Sequence, residues 1–513
     1  MASAPPKTVS SSETPSVTTR EFATDSLATG VMFALVLTVV QRVVGFIRNI
    51  MFCKIMTAEQ LGQWSMVYSF LLLLAPLSVL GLPGCFGRYV EHYRMKGQFG
   101  IFVGRIAKIS VAFTLLLAAT MLAIPEQFSG IVFRDQHQVD VVFGMAFALV
   151  FVTAMNFLIS LMESLRQVRI VTIMRFTTGV AFAIIGTSLM VLWQNQTVGA
   201  TVGFGIACFI TTIPAMWYLI RNRQTLKGDG ACLTHTEMWV RIAPFALWLW
   251  FSNILQNMFE ISDRYMLIHW STGTVDEAHN SVGQYHSGRV IPLLLLGVAA
   301  MLEGILLPYM TANVEAGKTE KARKQMNWAI KLIAIGFTLA SIMILFFAPL
   351  LFNWVLEGRY NGGLEVLPLT MAYCIWMGLG IVGQSFLWVA EKGKLVMVVT
   401  GVTLVLNLAL NAFLIPALGL WGAVLATSIA CFVFMALFLE LNRWMKCPTD
   451  AGVWLTALLP LILILPVSMI LPVTALIGML GFKTEWVFTN EEKTEIVGES
   501  RKVWAKISGV LGR

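Results

Sequence analysis

Apolar runs of about 20 residues, the length a helix needs to cross a hydrocarbon core roughly 30 Å thick, recur along this chain with short polar joints between them. They predict spanning helices near 29–53, 62–83, 103–124, 140–161, 171–193, 198–220, 241–268, 283–309, 328–352, 365–390, 395–416 and 420–441. A further apolar stretch from Val453 to Phe482, broken by Pro460, Pro466 and Pro472, is long for one span and short for two, and reads as a tight two-span hairpin. The expected class is therefore an all-α polytopic membrane protein of about 12–14 transmembrane helices.

The longest hydrophilic joint inside the membrane part runs from Arg221 to Trp239 and divides the runs into two sets of six. The predicted layout is a disordered Ser/Thr/Pro-rich tail over 1–24, a first lobe over 25–222, an inter-lobe loop over 223–238, a second lobe over 239–445, the apolar hairpin over 446–482 and a tail over 483–513. In that last tail Thr489 and Glu492 form a capping-box pattern, ahead of Val497, Val503, Trp504, Ile507 and Leu511, spaced as an amphipathic surface helix. Two echoes link the sets. Leu61-Gly62-Gln63-Trp64 matches Val282-Gly283-Gln284-Tyr285, and Gly199-Ala200 with Ile206-Ala207-Cys208-Phe209 matches Gly422-Ala423 with Ile429-Ala430-Cys431-Phe432. Halves with an even number of spans share one orientation and are related by an axis along the membrane normal, an arrangement in which cargo binds between lobes and access alternates.

Composition agrees with this class: 57% of residues are hydrophobic and 12% charged, against about 25% charged in soluble domains. The net charge of +8 does not indicate nucleic acid, because the basic residues crowd joints on one side, among them Arg88, Arg94, Lys96, Arg166, Arg169, Arg221, Arg223, Lys318, Lys321 and Arg443. The positive-inside rule then places the amino terminus in the cytoplasm. The seven cysteines are dispersed, with neither disulfide nor metal-ligand spacing. No phosphate-cradling glycine loop is present, and no outer loop exceeds about 20 residues, too little for an extramembrane catalytic constellation. Transport without an enzymatic step, cofactor or metal is the economical reading.

The polar residues inside the spans carry the candidate chemistry. Thr29 to Met56 is a span that holds Gln41, Arg42 and Arg48, and an arginine at mid-bilayer costs about 2.5–3.5 kcal/mol on insertion scales. Gln41, Gly45 and Arg48 share a stripe, with Arg42 a quarter-turn aside. They line a cationic cavity for an anionic cargo; otherwise Arg48 snorkels to the interface and Arg42 forms a structural ion pair. In the seventh span Asn253, Gln256, Asn257, Glu260 and Arg264 follow i, i+3, i+4, i+7, i+11, one polar face with Asp263 at its edge. Thr400, Thr403, Asn407 and Asn411 share a face of the eleventh span and suit interhelical hydrogen bonding. Arg289 and Glu303 lie on one face of the eighth, roughly 21 Å apart by helical rise, and Asn156, Ser160 and Glu163 line up on the fourth. Glu303, Glu163 and Asp263 are the candidates for a proton or sodium site, or else neutralise a nearby arginine.

At these residues the chain resembles the multidrug/oligosaccharidyl-lipid/polysaccharide flippase superfamily, and most closely its polysaccharide-unit exporters. Arg42-Val43-Val44-Gly45-Phe46-Ile47-Arg48 is similar to the R-x-x-G-x-x-R pattern of the lipid II flippase branch, in which both arginines face the central cavity. Leu406-Asn407-Leu408-Ala409-Leu410-Asn411-Ala412-Phe413-Leu414-Ile415-Pro416, followed by Gly419-Leu420-Trp421-Gly422-Ala423-Val424-Leu425-Ala426-Thr427, resembles the exporters' N-L-x-L-N-x-x-L-I-P-x-x-G-x-x-G-A-x-x-A-T. The resemblance spans nearly all of 25–445. It implies two six-helix lobes around a central V-shaped cavity and a monomer of the inner membrane. The implied activity is flipping of a polyprenyl-diphosphate-linked oligosaccharide to the outer leaflet, alongside polysaccharide assembly proteins. Arg289 approximates an arginine that the lipid II branch carries early in its eighth span. Where that branch has an arginine in its second span this chain has Leu77, Ser78 and Val79, which points away from lipid II. A cation-coupled multidrug antiporter of the same superfamily is the main alternative, ahead of a membrane glycan polymerase or a non-transporting scaffold.

Overall fold

The computed structural model describes residues 27–222, 233–445, 449–483 and 487. The expected tail over 1–24, most of the joint over 223–238 and the amphipathic helix beyond 483 lie outside the described residues. Among the described residues the chain is helix joined by turns: α1 (Leu27–Ile55), α2 (Ala58–Ser78), α3 (Phe86–Met95), α4 (Phe99–Ala123), α5 (Pro125–Phe133), α6 (Val139–Ser164), α7 (Val168–Ala181), α8 (Thr187–Leu192) and α9 (Gln196–Arg221). Then follow α10 (His235–Trp270), α11 (Val275–Arg289), α12 (Pro292–Glu315), α13 (Thr319–Leu350), α14 (Asn361–Val389), α15 (Gly393–Leu418) and α16 (Leu420–Trp444), and after them the short α17 (Ala451–Ala457) and α18 (Val467–Lys483). Twelve helices among the described residues are long and apolar enough to cross a membrane, with α7 and α8 counting as one through a π-turn at Phe182–Gly186. The protein is an all-α, multi-pass membrane protein.

The structure departs from the apolar pattern where polar or conformationally special residues intervene. α2 starts at Ala58, because Thr57 and Gln60 exchange both bonds of a capping box. It ends early, at a break where Leu80 and Gly81 take φ of 51° and 68°. The freed Leu77 carbonyl accepts from Trp250 Nε1 of α10 at 3.3 Å, as a backbone group inside a membrane requires. Two joints read as loops, 86–95 and 125–133, are the helices α3 and α5. α10 begins at His235, inside the predicted inter-lobe loop, with Glu237 in its first turn, where the helix dipole favours a carboxylate.

The eighth span is two helices. A second capping box, Thr274 with Glu277, starts α11; it stops at Arg289 because Pro292, which has no N–H to donate, opens the next helix. The carboxyl-terminal stretch folds as α17, a 3-10 turn at Leu459–Ile464, and α18. Its arms, Ala451–Ile464 and the 17 residues of α18, fall short of the roughly 20 residues of a full span. The first arm is fastened to the second set of spans: Asp450 caps α17 through the Val453 amide at 2.8 Å and pairs with the buried Lys331 at 2.8 Å. Trp376 Nε1 donates to the Ala457 carbonyl at 2.9 Å.

The two sets of six meet along α2, which runs beside α11 at one end and α10 at the other. The closest approach uses the glycines of the first sequence echo. A Cβ on Gly62 would stand 1.9 Å from the His279 carbonyl oxygen, and one on Gly283 would stand 1.8 Å from that of Ala58. Each glycine thus faces the residue four positions before the other, the reciprocity a two-fold relation between repeats produces. The second echo is used alike: Gly199 and Gly422 abut the Leu189 and Leu414 carbonyls, at the ends of the helices that precede them. Gly283→Ala therefore forces two backbones apart. We expect it to cost about 1–3 kcal/mol, read as a lower thermal unfolding midpoint of the purified full chain, whereas Gly336→Ala, whose Cβ meets open space, should not lower the midpoint, because alanine is favoured over glycine in a helix interior.

Candidate functional site

Two arginines of α1 turn toward protein. The Arg48 guanidinium lies 4.6 Å over the Phe182 ring and 5.9 Å from that of Phe52. Phe182 opens the π-turn between α7 and α8, a local widening that recurs at functional sites and here offers a ring face to a cation. Arg48 Nε is buried with no acceptor, so the snorkelling alternative is not what the side chain does. Arg42 reaches across to the other set of spans: a Cβ on Gly297 of α12 would meet its guanidinium carbon at 2.7 Å. Gln41 instead packs against Gly179 of α7, 3.3 Å from where a Cβ would stand. Gln41 and Arg48 therefore face the same fifth span, since Phe182 follows Gly179 by three residues.

The second cluster lies between α2, α10 and α11. Glu260 Oε1 takes Arg289 Nη2 at 2.9 Å and Arg264 Nη2 at 3.4 Å, and Arg264 Nη1 donates to Ser69 Oγ of α2 at 2.5 Å. Both arginine side chains are nearly enclosed, at 6% and 5% exposure, whereas that of Glu260 is 32% exposed. Arg264 Nε, Arg289 Nε and Arg289 Nη1 are buried without an acceptor. His286 hydrogen-bonds Ser65 of α2 at 3.1 Å. Two enclosed guanidinium groups therefore share one carboxylate. Below them on α10, Asn257 Nδ2 donates to the Asn253 carbonyl at 2.8 Å, while Asn253 and Gln256 are exposed. A buried charge without compensation costs several kcal/mol, and guanidinium forks match the oxygens of phosphate. The arrangement can hold an oxygen-rich anion.

Asp263 turns away from this stripe, into the second set of spans. Its Oδ1 accepts from Asn411 at 2.8 Å and Asn407 at 3.2 Å, and its Oδ2 from Tyr285 and Thr427, both at 2.6 Å. Ser262 donates to Asn407 Oδ1 at 2.8 Å, and Asn411 Oδ1 is buried without a donor. One carboxylate thus ties α10, α11, α15 and α16 together, and the interhelical role expected of Asn407 and Asn411 takes place at Asp263. Glu163 is different: it pairs with Arg175 at 2.5 Å, both half-exposed, which is the neutralising alternative and removes it from the coupling candidates. Glu303 sits half-buried on α12 with no ion-pair partner among the described residues. Ser69, Phe182 and His286 escaped the sequence reading because nothing in their spacing marks them. Tyr285 and Thr427 stand inside motifs quoted for other reasons.

Twelve spans with a cationic seam between two sets of six define a class of membrane transport scaffold. The chain belongs to the polysaccharide biosynthesis protein family, whose model matches residues 27–314, more than half of its length. Residues 278–494 match the model of the lipid II flippase MurJ. Among solved structures it is similar to lipid II flippase MurJ in an inward closed conformation, at TM-score 0.66 and 14% identity over 88% of this chain and 96% of that one. An inward-facing multidrug resistance MATE family transporter of the MOP superfamily also matches at TM-score 0.66 and 14% identity, covering 79% and 94%. A MOP superfamily transporter from Pyrococcus furiosus, described as having a binding pocket of reversed polarity, matches at TM-score 0.57 and 14% identity, covering 82% and 94%. These likenesses establish a shared fold. No curated protein sequence matches the chain.

The contrast between the carboxylates is measurable. Asp263→Ala removes the acceptor shared by four donors and leaves them only their second, longer bonds to Asn407, Thr427, Ala423 and Tyr373, each lost bond costing about 0.5–1.5 kcal/mol, and should lower the unfolding midpoint sharply. Glu163→Ala removes an exposed pair worth at most about 1 kcal/mol and should barely move it.

Proposed function

We propose that the protein flips a polyprenyl-diphosphate-linked oligosaccharide from the inner to the outer leaflet by alternating access, as a non-enzymatic transporter. It does so as an inner-membrane monomer with its amino terminus in the cytoplasm, working beside polysaccharide assembly proteins. One observation carries this reading: Arg264 and Arg289 share one carboxylate between the two sets of spans, and both, like Arg48 on α1, keep buried N–H groups that lack acceptors. Arg42 stands about 9 Å nearer the inner side than Arg48 by helical rise, so the cations form a track from the cytoplasmic side to the seam. A diphosphate drawn along it gains charge-assisted hydrogen bonds at each step, while its glycan meets the amides of Asn253, Gln256 and Asn257 on the same face. A cationic drug would be repelled along the same path, which disfavours the multidrug antiporter. At Leu77–Val79, where a lipid II flippase places an arginine, the chain has a helix end capped by Trp250, so another lipid-linked glycan is the better cargo.

Asp263 is the coupling carboxylate in this reading. Tyr285, which bonds it, lies one helical turn before Arg289, whose guanidinium carbon is 5.3 Å from the Tyr285 ring. A proton or sodium ion that changes the bonds of Asp263 therefore acts on the helix that presents Arg289. Glu303 is a second carboxylate on the same path.

The test is reconstitution in liposomes with a fluorescent polyprenyl-diphosphate glycan, with and without proton and sodium gradients. The wild-type chain should flip the lipid and respond to one of the gradients. Arg42→Ala and Arg48→Ala should each insert normally yet slow flipping by about tenfold or more, the equivalent of about 1.4 kcal/mol or more in lost stabilisation. Normal flipping by both variants would overturn the reading.

A further inference from the structure

We infer that Glu260 is a built-in stand-in for the cargo: in the empty protein its carboxylate fills the place between Arg264 and Arg289 that a diphosphate takes during transport. This inference rests on the cargo proposed above and adds how that cargo is bound and then let go.

Three observations carry it. The carboxylate satisfies the arginines poorly, since one oxygen serves both, at 2.9 and 3.4 Å, and leaves Arg264 Nε and two nitrogens of Arg289 buried without acceptors. A diphosphate brings more oxygens and more charge to the same donors. Second, Glu260 covers them. Its side chain is about five times as exposed as either arginine, at 32% against 6% and 5%, so an arriving anion meets the carboxylate before it meets the cations. Third, Arg264 has an anchor besides the carboxylate, and the backbone of Arg289 is fixed at a helix end. Arg264 is held to Ser69 at 2.5 Å, and Arg289 ends α11 three residues before the turn-breaking Pro292 begins α12. One turn below Glu260 on α10, the exposed Gln256 offers its amide to a displaced carboxylate, at the i to i+4 spacing that lets side chains on one helix meet.

The exchange solves a difficulty inherent to transport. Buried, multidentate guanidinium–phosphate bonds dissociate slowly, and a transporter must release what it binds. A carboxylate tethered a few ångströms away competes with the cargo at high effective concentration, lowers its affinity, and re-forms its own pairs as the cargo leaves. Glu260 is thus an exchange residue set against the diphosphate, not a ligand for the sugar.

The experiment compares the full-length wild-type chain with Glu260→Gln and Glu260→Asp, using inorganic pyrophosphate and a short polyprenyl diphosphate as probes of binding, and the fluorescent lipid-linked glycan in liposomes as the probe of flipping. Glu260→Gln should bind both diphosphates about tenfold tighter and flip more slowly than wild type, because the cargo is no longer displaced. Glu260→Asp, which keeps the charge, should stay near wild type in both. Should the Gln variant unfold when alone, pyrophosphate should restore its thermal midpoint, because the anion replaces the missing carboxylate. Equal or weaker diphosphate binding by Glu260→Gln beside intact wild-type binding, or a destabilised variant that pyrophosphate fails to rescue, overturns the inference and leaves the cargo assignment standing. Absence of diphosphate binding by the wild-type chain overturns the cargo assignment and this inference with it.

Discussion

Guanidinium groups enclosed between apolar helices without enough acceptors are the constraint from which the rest of this structure follows. Arg264 and Arg289 share one carboxylate oxygen, and Arg48 rests on an aromatic face in place of a counter-ion. Taking such charges out of water is costly unless they are paired and hydrogen-bonded, and here they are only partly so. The unfilled donors of this seam are the groups we propose the anionic cargo engages.

Helix irregularities serve that seam. The π-turn at Phe182 widens the fifth span where Arg48 needs a ring beneath it, and the break before Pro292 places Arg289 at a helix end. The break at Leu80–Gly81 lets α2 turn while Trp250 accepts responsibility for the stranded Leu77 carbonyl. Between these points the contacts of α2 with α10 and α11 combine glycine-mediated backbone approach at Gly62 with polar bonds at Ser65 and Ser69. Close backbone packing and interhelical hydrogen bonds are what hold helices together where lipid removes the hydrophobic drive. Bonds of this kind also re-form in a second arrangement more readily than a large apolar interface separates.

The number of spans was legible because a bilayer imposes one length on every apolar run, and so were Arg42, Arg48, Glu260, Arg264 and Arg289, since charge inside such a run is conspicuous. Glycine echoes disclosed the relation between halves, and Gly62 and Gly283 turned out to be the residues in contact. What the pattern hid depends on distant partners. Asp263 looked like the edge of the Asn253–Arg264 stripe, and only tertiary packing shows that it faces Asn407, Asn411, Thr427 and Tyr285. Gln41 and Arg48 share a stripe and a neighbour, the fifth span at Gly179 and Phe182, whereas Arg42, a quarter-turn aside, reaches Gly297 of α12. Phe182 and Ser69 carry no charge and stood unmarked among similar residues. Hydrophobic length likewise overstated the hairpin after Asp450, whose prolines divide it into arms too short to span.

Negative charge on the passenger is, we propose, what the buried arginines recognise. The most direct measurement is the affinity of the purified chain for two lipids alike in polyprenyl tail and glycan, one joined through a diphosphate and the other through a neutral linkage. The account predicts binding of the diphosphate lipid at least about a hundredfold tighter, equivalent to about 2.7 kcal/mol, with the advantage lost in Arg289→Ala. Equal affinity for the two lipids would contradict it.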